Sequence, residues 1–170
     1  SILQFKEMNI LTLDDYRNEF EQSSNRSVSM PIAGTIVWGV VALLSTQFNE
    51  NISVYILLFA TGGIFPIALI IAKIRKENLV SSSNPLAKLM GLCILMVNLL
   101  WAVHIPLLLN APEFVPLSLG IGLGLHWVVY SWIINHPVGI IHAVLRSILI
   151  VVAWYLFPND GLFAISCVIV

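Results

Sequence analysis

The chain has 170 residues, 58% of them hydrophobic and 10% charged, with a formal net charge of −1 and a mean hydropathy of +0.92. Water-soluble domains carry about a quarter charged residues, so this composition excludes an ordinary soluble fold and suits a chain whose solvent is the bilayer. The net charge identifies no partner, because where the charges sit matters more than their sum, and nucleic acid is not among the expected partners.

Residues 1–29 are polar and of mixed charge. They do not form a signal peptide, since Lys6, Glu7, Asp14 and Asp15 interrupt any apolar stretch. Within them "TLDDYRNEFEQ" predicts a short amphipathic helix. Thr12 is placed to cap it, acidic residues fill its first turn, and Leu13, Tyr16 and Phe20 recur at helical spacing. Its apolar stripe is expected to rest on the bundle or on the lipid surface.

Apolar runs follow at 30–48, 53–74, 86–109, 114–134 and 137–157. Each approaches or exceeds the ~20 residues that cross a bilayer as a helix. They lack the alternation of barrel strands, which leaves helices as the way to satisfy their backbones in lipid. A sixth run, "GLFAISCVIV" at 161–170, is too short to cross alone and is expected to be a sixth helix in which the given chain ends. The expected fold is therefore all-α: a cytoplasmic segment at 1–29, then a polytopic transmembrane bundle at 30–170 with five crossings and a truncated sixth helix. Gly62, Gly63 and Pro66 predict a kink in the second crossing. "SSSNP" at 81–85 predicts the cap of the third, and "NHP" at 135–137 forces the fourth and fifth into an antiparallel hairpin. Cys93 and Cys167 lie in apolar runs and are expected to pack there.

Basic residues set the orientation. Lys6, Arg17 and Arg26 precede the first crossing, and Lys73, Arg75, Lys76 and Lys88 flank the second connection. The connections near 49–52, 110–113 and 158–160 carry only Glu50, Glu113 and Asp160. By the positive-inside rule the N-terminus is cytoplasmic.

Chemistry concentrates in "LHWVVYSWIINHPVGIIHAVLRS", residues 125–147. Folding the hairpin about His136 puts position 126 level with 146, and 130 level with 142. His126 and Tyr130 share one helix face, and His142 and Arg146 another. At 1.5 Å per residue, His126 and Arg146 lie about 15 Å from the turn. An arginine at mid-membrane costs from ~2.5 to above 10 kcal/mol, and no carboxylate lies within any crossing. Carbonyls, Tyr130, Ser131, Ser147, Asn98, a water or an anionic ligand must meet its five donors. His104 is expected to be an interfacial or helix-packing residue, and His136 an exposed turn residue. A haem is disfavoured because His126 and His142 differ in depth by ~6 Å, and a metal ion because Arg146 opposes a cation.

Two functions fit this pattern. In the first, the bundle binds, and even transports, an anionic or amphipathic small molecule or a lipid. Arg146 anchors the charge, His126, His142, Tyr130 and Asn98 orient it, and Trp127 or Trp132 forms a wall. This reading requires a cavity that reaches Arg146, and it needs neither cofactor nor metal. In the second, the buried polar residues are a structural staple in a non-catalytic scaffold or partner subunit. Gly120 and Gly124, at small-xxx-small spacing, then allow close helix contact and homo-oligomers. An intramembrane enzyme trails both, and no catalytic motif is present.

The order of motifs adds a resemblance. "DYRNEF", "GGIFPIALIIAKI", "NPLAKL", "PEFVPLSLGIGLGLHWVVYSWI" and "GIIHAV" together resemble an uncharacterised bacterial family of small multi-spanning membrane proteins, a domain of unknown function, over most of residues 14–157. The resemblance implies a helical bundle in the bacterial inner membrane and supplies no substrate or catalytic residue.

Overall fold

The structure, a computed structural model, describes residues 11–24, 27–77 and 83–170. Lys6, Glu7, Arg26 and the first residues of the "SSSNP" turn lie outside them.

The first helix, α1 (Leu13–Ser24), starts as its sequence dictates. Thr12 Oγ1 accepts from Asp15 N at 3.2 Å, and the Asp15 carboxylate accepts back from Thr12 N at 2.8 Å, a reciprocal capping box. The helix rests on the bundle. Arg17 Nη2 donates to the Trp132 carbonyl at 3.1 Å, and its guanidinium lies 5.3 Å from the Trp132 ring centroid. Asn84 Nδ2 donates to the Tyr16 carbonyl at 2.8 Å.

The six apolar runs then appear as nine α-helices among the described residues. The first run is α2 (Ser29–Ser45) and the second is split into α3 (Glu50–Gly62) and α4 (Ile64–Arg75). The third is split into α5 (Pro85–Leu99) and α6 (Trp101–Asn110). After a 3-10 turn at Pro112–Phe114, the fourth forms α7 (Val115–Gly124) and α8 (His126–Ile133). The last two are α9 (Val138–Leu156) and α10 (Gly161–Ile169). Asn49 and Asn84 cap α3 and α5, accepting from Ile52 N at 3.0 Å and Leu86 N at 2.8 Å, and Pro85 and Pro116 occupy first-turn positions where an N–H would be idle.

The kink expected at Gly62 and Gly63 is a 41° bend between α3 and α4. Pro66 removes one backbone donor there, and the Gly63 N–H turns to the Ala60 carbonyl at 2.9 Å. The α8–α9 corner closes on Asn135, at φ 52. His136 N bonds Ser131 O at 3.0 Å and Asn135 N bonds Trp132 O at 3.3 Å, the paired bonds of a left-handed helix stop. Ser131 Oγ also donates to the His136 carbonyl, and His136 Nδ1 accepts from Val138 N at 3.2 Å, so His136 caps α9 as well as forming the turn.

Among the described residues, three helices are long and apolar enough to cross a membrane: Pro85–Asn110, Pro112–Ile133 and Val138–Leu156. The bent pair α3–α4 makes a fourth if it is one span. The five-crossing expectation exceeds this count because α2 stops at Ser45, giving 17 residues and about 26 Å of helix. Trp38 and Val41 of α2, Leu57 of α3, Leu119 of α7, Ile150 of α9 and Ile165 of α10 meet in the main apolar core. Cys93 is buried, whereas Cys167 is exposed and so departs from the packing role expected of it.

Candidate functional site

The expected hairpin forms, with α7 and α8 packed along α9. What the sequence did not reveal is that its first arm tightens locally at Leu125, within a span that runs from Pro112 to Ile133. The Leu125 N–H bonds the Gly122 carbonyl at 3.2 Å, three residues back, so α7 ends at Gly124 and α8 begins at His126. Arg146, near the middle of α9, lies against this junction. Its Nε donates to the Gly120 carbonyl at 3.1 Å. Gly124 admits the side chain, since a Cβ there would stand 3.3 Å from Arg146 Cδ and 3.4 Å from Nε. The guanidinium thus rests on the backbone of α7, through the Gly120 carbonyl. The counterion missing from the sequence is replaced in part by backbone.

His126 and His142 both lie within electrostatic reach of Arg146. The hub of the cluster is Trp127. Its ring centroid is 5.0 Å from that of His142, 5.7 Å from that of His126, and 5.4 Å from that of Tyr130, which it meets edge-on. The ring that meets His142 is therefore Trp127, where equal spacing from the turn suggested Tyr130. Asn98 is not brought to the cluster. It is exposed on α5 and donates to the Ile94 carbonyl of its own helix at 2.8 Å. The other polar groups considered for Arg146 are also engaged elsewhere, Ser131 with His136 and Ser147 with the Ala143 carbonyl. Trp132 does not wall the cluster; it carries Arg17 of α1.

A cavity of about 170 Å³ opens between α5 and α8, lined by Cys93, Met96, Val97, Leu100, Leu125, His126 and Val129. It reaches His126 but its lining does not include Arg146. Gly124 borders the Arg146 side chain on the α7 side instead. A larger cavity of about 890 Å³ lies at the other end of the bundle, among the ends of α2 and α9 and the starts of α3 and α10. Glu50, Glu113 and Asp160 line it, and all three are exposed.

A second buried polar pair escaped sequence reasoning. His104 is 2% exposed, in the packing between α6 and α7. Its Nδ1 is 2.9 Å from Ser118 Oγ, and it packs over Gly122, where a Cβ would be 3.8 Å from its ring. The available signal was the four-residue spacing of Ser118 and Gly122, which puts both on one face of α7. Ser118→Ala leaves a buried imidazole nitrogen without its partner and is expected to lower stability by about 1–3 kcal/mol. Denaturation in detergent micelles checks this against Ser147→Ala, whose hydroxyl bonds only its own helix and whose loss should be smaller.

Fold and site define the class: among the described residues, an all-α bundle with three helices, or four, able to cross a bilayer, and a cluster of cationic and imidazole side chains where α7 and α8 pack on α9. The chain belongs to a family described as a family of unknown function (DUF7010), whose model matches residues 13–170. No curated protein and no solved structure matches it.

Proposed function

We propose that this chain is a membrane protein of five crossings, with a cytoplasmic N-terminus, that binds an anionic amphiphile beside the α7–α8 junction. The bacterial inner membrane is the setting that the family resemblance implies. Supporting the orientation, Arg17 and Arg75 lie with the turn ends of α1, α4 and α8, whereas the opposite large cavity is lined by carboxylates and no basic residue. Count the α2 helix and the bent α3–α4 pair as spans, and the five expected crossings are recovered.

One observation carries the binding reading. Among the described residues, the Gly120 carbonyl is the one protein group that accepts a hydrogen bond from Arg146, and a guanidinium has five donors. One backbone acceptor falls short of an intramembrane arginine's cost, so the remaining N–H groups call for a carboxylate, a phosphate or water. The crevice lined by His126 suits the apolar tail, and Trp127, His142 and Tyr130 shape the polar end.

The experiment is thermal denaturation of the detergent-solubilised chain with lauric acid, dodecyl phosphate or 1-dodecanol. A ligand at a hundred times its dissociation constant stabilises by about 2.7 kcal/mol. Either acid should raise the melting temperature, the alcohol should not, and Arg146→Gln should abolish the difference. Equal effects of acid and alcohol would refute binding by charge. The second reading, a staple, is favoured by the Arg146–Gly120 bond itself. It predicts that Arg146→Gln lowers the melting temperature while none of the three additives acts on the unsubstituted protein.

A further inference from the structure

The glycines of the α7–α9 crossing are consumed inside the chain. A Cβ on Gly120 would meet Ile150 at 3.1 Å and Ile169 at 3.2 Å, and one on Gly122 would meet Leu100 at 2.8 Å. Gly120 and Gly124 are therefore not the free association surface expected of them. Gly91 of α5 is different, since nothing lies within 4 Å of a Cβ built on it.

Gly91 opens a seam. Gly91, Leu95, Asn98, Ala102, Ile105 and Leu109 follow one another at spacings of four, three, four, three and four along α5 and α6, and all six are exposed. This 3.5-residue period is the pattern of a left-handed helix pair, and it runs the length of the most open span, whose best apolar window is 11% buried. Apolar exposure alone would suit lipid. Two polar features on the seam do not. Asn98 lies about 20 Å along the helix from Pro85, near mid-span, with its Oδ1 given no hydrogen bond among the described residues and its Nδ2 bonded only to Ile94 O. One residue further along the seam, the Ala102 carbonyl loses its helical donor because position 106 is proline.

We propose that a second copy of this chain packs along the seam about a two-fold axis, with Asn98 against the partner's Asn98. An isologous interface sets a residue near the axis against itself. A carboxamide suits that arrangement because it is its own complement: each Nδ2 keeps one hydrogen on Ile94 O and gives the other to the second copy's Oδ1. Gly91 lets the two backbones approach, and one asparagine in an apolar seam fixes register and copy number. The interface rests on the membrane reading above and is independent of any ligand.

The test is disulfide crosslinking of the full chain in phosphatidylcholine–phosphatidylglycerol vesicles, on a Cys167→Ser background, across a range of protein-to-lipid ratios. Leu95→Cys and Ile105→Cys should crosslink to dimers, while Leu92→Cys, exposed but about 100° round the helix, should not. Asn98→Leu should weaken association about ten-fold, with Asn98→Gln retaining part of it and the melting temperature of the dilute, monomeric protein unchanged. A monomer at every ratio, equal crosslinking on and off the seam, or indifference to Asn98→Leu would each overturn the proposal. A chain extracted from vesicles by alkali would overturn the membrane reading itself, whereas one that stays in the bilayer as a monomer overturns the interface alone.

Discussion

Gly139→Ala is expected to be among the most damaging single-methyl additions in this chain. A Cβ at Gly139 would stand 2.2 Å from the Trp127 carbonyl oxygen, 3.0 Å from Ser131 Cβ and 3.2 Å from Ser131 N. Two of these are backbone atoms of α8, so no rotamer change relieves the contact and the helices must separate. The corner holding them resists, because Asn135 and the Ser131–His136 bond fix its geometry. Overpacking ordinarily costs ~1–3 kcal/mol, and a clash with backbone belongs at or above the top of that range. Gly34→Ala is the matched control. Nothing lies within 4 Å of a Cβ there, inside α2, and alanine should stabilise that helix by about 0.5–1 kcal/mol. Thermal denaturation of the two variants should move in opposite directions; movement together would mean that α8 and α9 do not cross so closely.

Gly139 also shows why the fold was more legible than its joints. The apolar runs, Thr12, Pro85, the glycine kink and the NHP corner could all be read from sequence, because each depends on local composition or on one residue's backbone preference. The local tightenings at Leu100 and Leu125 could not, since neither is marked by a proline at that position, and leucine is a good helix former. The end of the first run is similar: α2 stops at Ser45, before Phe48.

The cluster was legible as a set and not as a geometry. Equal distance from His136 brings His126, His142 and Arg146 together, because depth in a hairpin follows from counting. Rotation about each helix does not. Trp127 faces His142, and the absence of a Cβ at Gly124 lets Arg146 lie against α7. Asn98 was assigned by depth alone and faces away, on the outer side of α5.

Removing Glu77 should loosen the end of the bundle where α4 finishes and α2 begins. Lys76, at φ 57, stops α4 in a left-handed turn, and the Glu77 N–H returns to the Ala72 carbonyl at 2.8 Å. Its carboxylate is thereby held, 8% exposed, against the first turn of α2. It accepts from Ser27 Oγ at 2.6 Å, from Ser29 N at 3.3 Å, from Ser29 Oγ, and from Arg75 Nε. An anion at a helix N-terminus with these donors adds a polar tie to the apolar packing of α2 on α4. Glu77→Ala leaves several of those donors unmet and should cost about 1–3 kcal/mol. Burial by itself would raise the carboxyl pKa, but the bonds from Ser27 and Ser29 and the charge of Arg75 outweigh it and hold the group at about 2, below the ordinary 4.5. A pKa lower in the folded state means the unfolded chain takes up the proton first. The contribution is thus complete above 4.5 and is lost as pH falls from there toward about 2. Unfolding followed across that window should show the unsubstituted protein losing stability faster than Glu77→Gln, which keeps an acceptor oxygen but has no charge to titrate; parallel curves would mean that the carboxylate is not ionically engaged.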